Sequence, residues 1–174
     1  MSETIEQMLT GGHANSLGRT LEVVDMVLAD QARFEELFNC YLSEDEVVRL
    51  RTSNALKRVE KAQHDWLVPY IDRLVSEISL IDQASTQWTM ANLYERLERD
   101  MTTGQHAQAL EVMKRNLANS SDWIVLNETM RTLSEWAKKN NELKDWLKPH
   151  FKRLSRDERK SVSKRAAKLL AALN

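Results

Sequence analysis

Apolar residues recur along the chain at spacings of three and four, and this 3.6-residue rhythm is broken every ten to twenty residues by polar or capping positions. The pattern predicts ten amphipathic helices, near residues 4–9, 16–28, 31–42, 44–62, 65–81, 84–100, 105–119, 122–140, 142–154 and 157–173. Ser43-Glu44-Asp45-Glu46 and Ser155-Arg156-Asp157-Glu158 both read Ser-x-x-Glu, in which a hydroxyl and a glutamate satisfy the free amides of a helix start. Backbone freedom is concentrated at Gly11-Gly12, expected to end a small leading helix, and at Thr102-Thr103-Gly104, expected to form a mid-chain turn.

Self-similarity organises these segments. Asp65-Trp66-Leu67-x-Pro69-x-x-x-Arg73-Leu74 returns 80 residues later as Asp145-Trp146-Leu147-x-Pro149-x-x-x-Arg153-Leu154. In both copies the proline is expected near a helix start, where the first amides have no carbonyl partner in the helix. The helices that precede and follow these segments align on Val59, Leu97, Trp136 and Leu173, in steps of 38, 39 and 37 residues. The alignment carries one apolar stripe through four helices: Val48, Thr52, Ala55, Leu56 and Val59; Thr86, Met90, Leu93, Tyr94 and Leu97; Val125, Thr129, Thr132, Leu133 and Trp136; Val162, Ala166, Leu169, Leu170 and Leu173. Each set of five lies on one helical face. A pair of helices cannot cover its own apolar face, so repeats of this length are stable when stacked, which predicts an all-α solenoid. It is expected to be a single domain, with N-terminal capping helices over residues 1–30 and about four helix pairs over 31–173.

Asp45-Glu46-Val47-Val48-Arg49, followed by Asn54-Ala55-Leu56 and Val59, resembles the second helix of a HEAT repeat, and the run from Ser16 to Val59 is similar to small bacterial HEAT-repeat proteins. The later units share only the period and the apolar pattern; the Val-Arg pair becomes Thr86-Gln87, Val125-Leu126 and Val162-Ser163. The resemblance implies a right-handed α-α superhelix whose second helices line an inner surface that holds a segment of another protein. Residues opposite the apolar stripe would form that surface, and Leu50, Asn54, Trp88, Asn92, Arg99 and Arg131 are the candidate partner-binding residues. Leu50 and Trp88 are apolar where the pattern asks for polar, and an aromatic flanked by Arg and Asn has the composition of a binding hot spot. The alternative for Trp88 is packing between neighbouring units.

Composition narrows the remaining classes. Four Gly and two Pro in 174 residues disfavour a sandwich or barrel. A single cysteine, Cys40, between Phe38 and Leu42, reads as a small core residue of a protein from a reducing cytoplasm. The start lacks the basic and apolar runs of an export signal, and no stretch approaches the roughly 18 uncharged residues of a membrane span. His13, His64, His106 and His150 have no His or Cys at helical metal-ligand spacing, and the glycines precede no phosphate-binding lysine. No motif supports an enzyme or a cofactor.

Net charge is −1, yet residues 1–100 hold 10 basic and 18 acidic residues, and 101–174 hold 15 and 8. Two alternatives to a protein-binding scaffold follow. The basic C-terminal region offers cations to a nucleic-acid backbone, and the resemblance also admits a HEAT-like DNA-binding protein or DNA alkylation-repeat glycosylase, with Trp88 and Arg131 on the concave side that meets the duplex. The opposed charges also suit a subunit that assembles with copies of itself.

Overall fold

The computed structural model describes residues 2–174 and is all-α: ten α-helices joined by short loops and 3-10 turns, with no strand among the described residues. We number them α1 (Ile5–Leu9), α2 (Thr20–Ala29), α3 (Phe34–Asn39), α4 (Glu46–Ala62), α5 (Ile71–Ser76), α6 (Ala84–Leu97), α7 (Thr103–Asn119), α8 (Trp123–Ala137), α9 (Asn141–Leu154) and α10 (Lys160–Ala172). Each falls within or largely over one predicted segment. The chain divides into two compact units, one up to Thr89 and one from Met90 onward, the division falling inside α6.

Several helix starts differ from expectation. Asp45, not Ser43, caps α4 by accepting from the Val47 amide at 2.8 Å, and Ser43 Oγ accepts from the Asp45 amide instead. Ser155 donates to the Lys152 carbonyl at the end of α9, and Arg159, in the cap position before α10, makes no side-chain capping bond. The reciprocal capping boxes are Thr4 with Gln7 and Thr102 with Gln105, so Gly104 lies in the first turn of α7 rather than in a loop.

The two copies of the Asp-Trp-Leu motif fold differently. Around Pro69 the chain forms successive 3-10 turns before α5, whereas α9 is capped by Asn140 well upstream and runs continuously through Pro149. Pro149 therefore lies inside its helix, where it removes the amide that would donate to the Asp145 carbonyl.

In the first unit α2 packs against α4, and α1 rests on both. Phe38 and Phe34 meet Tyr70 with ring centroids 4.6 and 5.0 Å apart, Arg73 lies over the Phe38 ring, and the hydroxyls of Tyr41 and Ser53 share a buried 2.7 Å hydrogen bond. Arg51 on α4 is only 2% exposed. Its guanidinium donates to four backbone carbonyls of the N-terminal loop: Nη1 to Leu9 and Gly11, both at 2.7 Å, Nε to Ser16 at 3.2 Å and Nη2 to His13 at 3.3 Å. The loop closes around it because Gly18 has φ +50°, and a Cβ there would stand 2.9 Å from Arg51 Cζ.

In the second unit each of α7 to α10 packs on the next, and α10 also lies against α8. Bonds between elements recur at about the repeat distance: Thr132 Oγ1 donates to the Ala91 carbonyl at 3.0 Å, Arg165 Nη1 to the Asn127 carbonyl at 3.2 Å, and Arg153 Nη2 to the Leu117 carbonyl at 3.3 Å. All fifteen stripe positions on α4, α6 and α8 are buried. On the fourth helix Val162 and Ala166 are buried, but Leu169, Leu170 and Leu173 are only half-buried, because no described helix lies beyond α10 to cover them. At about 1.5–3 kcal/mol for each fully buried Val, Leu or Met, the stripe is a principal source of stability.

Candidate functional site

The six candidate residues fall on both sides of the division. Leu50 and Asn54 are half-buried on α4, and Asn54 Oδ1 accepts from Arg58 Nε at 2.7 Å. Trp88 is half-buried on α6, intermediate between the exposed anchor and the packed wedge that its sequence position allows. Asn92 and Arg131 are half-buried, and Arg99 is exposed on the turn after α6.

Asn92 and Arg131 are joined directly by a hydrogen bond. Arg131 Nη2 donates to Asn92 Oδ1 at 3.2 Å and to Glu128 Oε2 at 3.1 Å, while Nη1 is ion-paired with Glu95. Thr132 Oγ1 also donates to Glu95, at 3.3 Å. Burial works against the charge on Arg131, but the Glu95 and Glu128 carboxylates outweigh it and raise its pKa above the ordinary arginine range. The result is a polar cluster across α6 and α8 in which one cation is shared by two carboxylates. Glu95 and Glu128 are the carboxylates missing from the six candidates; the signal for Glu128 was its place three residues before Arg131 on one helix.

No family model, curated protein or solved structure matches the chain.

The other chemistry-bearing side chains have packing neighbours. His106 stacks on Trp136 with centroids 4.0 Å apart, and the His150 ring lies tilted against Trp146 with centroids 4.1 Å apart. Burial, with Arg153 nearby, lowers the pKa of His150 and favours its neutral form. Among the described residues no three of His, Cys, Asp and Glu converge on a common point, and no helix is long and apolar enough to cross a membrane.

Cys40 is 5% exposed and donates its thiol proton to the Glu36 carbonyl. Burial, reinforced by Glu6 and Glu36, pushes its pKa up to about 12. Since the thiolate is the reactive species, Cys40 is expected to react with a disulfide reagent at pH 8 at least about a hundredfold more slowly in the folded chain than in denaturant. Comparable rates in the two states would contradict this environment.

Proposed function

We propose that the chain is a right-handed solenoid of HEAT-like helix pairs that holds a segment of another protein along the outer sides of α4, α6 and α8, centred on Leu50, Trp88, Asn92, Arg99 and Arg131. The observation that carries this reading is the burial of the same five-position stripe on all three helices, in steps of 38 and 39 residues. Burying that face on each helix turns the opposite side, with its mixed apolar, amide and charged residues, toward a ligand. The pairing of Arg131 with two carboxylates supports a protein segment there over a nucleic-acid backbone, because the cation is already neutralised.

Photo-crosslinking side chains at Leu50 and Arg99 are expected to yield the same protein adduct in cells. Trp88→Ala should reduce its yield about tenfold, as loss of an aromatic anchor does. Gln108, exposed on α7, serves as the control position. Adducts from Gln108 with none from Leu50 or Arg99 would place the partner elsewhere.

A further inference from the structure

A second feature of the later unit has its own chemistry. Between α8 and α10 runs an open groove of 470 Å³, with Trp123 and Ile124 on one wall and Lys164, Arg165 and Lys168 on the other. Trp123 is 49% exposed and is the one aromatic among the exposed large apolar side chains of the described residues. Asn127 lies in the floor, where its amide reaches Ser161 at 3.5 Å and Arg165 ties α10 to its carbonyl. Glu128, the one carboxylate of the lining, is engaged by Arg131. Lys164 and Lys168 have no hydrogen bond or ion pair from their side chains among the described residues. The groove therefore presents an apolar wall facing two unneutralised cations.

The first unit displays the complementary chemistry. It holds 8 basic and 15 acidic residues, against 17 and 11 in the second. Between α3 and α4, Leu42 is 60% exposed and is followed, after Ser43, by exposed Glu44, Asp45 and Glu46. Asp45 is spent on capping α4, but the Glu44 and Glu46 carboxylates have no cation or donor among the described residues. One exposed leucine with two unpaired carboxylates matches one exposed tryptophan with two unpaired lysines, in both polarity and charge.

We propose that the groove of one copy binds the Leu42–Glu46 segment of a second copy, a heterologous contact that joins the acidic unit of one chain to the basic unit of the next. Leu42 lies against Trp123 and Ile124, and Glu44 and Glu46 meet Lys164 and Lys168. This contact stands apart from the partner strip, whose residues it does not use.

Sedimentation of the full chain tests it with two charge-reversed variants, K164E/K168E and E44K/E46K, all four positions being exposed so that circular dichroism should be unchanged. The wild type should self-associate in low salt and dissociate at about 0.5 M salt, where the Debye length is under 10 Å. Each variant alone should associate at least tenfold more weakly. A chain carrying all four substitutions should associate again, because the charges are exchanged rather than removed. A wild-type chain that stays monomeric at every concentration, association that neither variant weakens, or a groove that instead retains single-stranded oligonucleotide would overturn the proposal. Crosslinking at Leu50 and Arg99 reads the partner strip separately, so loss of one result leaves the other standing.

Discussion

Replacing Arg51 by methionine is expected to destabilise the first unit by about 3 kcal/mol, since it strips charge-assisted donors from four part-buried carbonyls while keeping most of the side-chain volume. At roughly 2–4 °C per kcal/mol for a chain of this size, the melting temperature should fall by about 6–12 °C. Arg51→Lys should recover only part of the loss, because one ammonium cannot reproduce the planar fork that reaches Leu9, Gly11, His13 and Ser16 together. Gly18→Ala should act on the same structure from the other side, by forcing a Cβ to 2.9 Å from the guanidinium carbon at positive φ. Amide exchange locates the effect: α1 and α2 should lose protection while α8 and α9 keep theirs. A melting temperature within a degree or two of wild type would mean that the loop carbonyls are satisfied equally well by water.

Trp136→Ala should cost about 3–5 kcal/mol, the usual range for removing a large aromatic from a core. Trp136 is 4% exposed, occupies the last stripe position of α8 and stacks on His106. Its indole Nε1 is buried without a described hydrogen-bond partner. Trp136→Phe should therefore cost much less, since it keeps most of the ring and removes a donor that makes no bond. Chemical denaturation of the three proteins checks this. Equal losses for the alanine and phenylalanine variants would point instead to an essential indole N–H contact.

Stripe and caps differ in how far the sequence revealed them, for physical reasons. A face buried along a whole helix repeats every 3.6 residues, so Val48, Leu93 and Leu133 could be placed in the core from spacing alone. The half-burial of Leu169, Leu170 and Leu173 depends on what lies beyond α10, which periodicity does not encode. Capping boxes with glutamine, Thr4 with Gln7 and Thr102 with Gln105, satisfy the same amides as those with glutamate, so a Ser-x-x-Glu pattern alone does not find them. The role of Arg51 was hidden because its partners lie 35 to 42 residues away in the chain. The same holds for the Arg131 cluster, in which Glu128 is local but Glu95 and Asn92 are met only through the packing of α6 and α8. Identical residues at Asp65 and Asp145 gave different local structure because Asn140 starts α9 upstream of its proline, whereas α4 ends at Ala62 and leaves the chain around Pro69 to begin anew.

The repeat itself is tested most directly by electron-spin distances between labels at corresponding exposed sites of the second unit, Arg96 and Ala172, each one residue before an aligned stripe end, in a Cys40→Ala background. In a regular solenoid, neighbouring helices stand about 10 Å apart, so pairs that skip one layer should lie roughly 20 Å apart. The account predicts about 20 Å for 96 with 172, both within the second unit. A clearly longer or shorter distance would show that α6, α8 and α10 do not lie in successive layers.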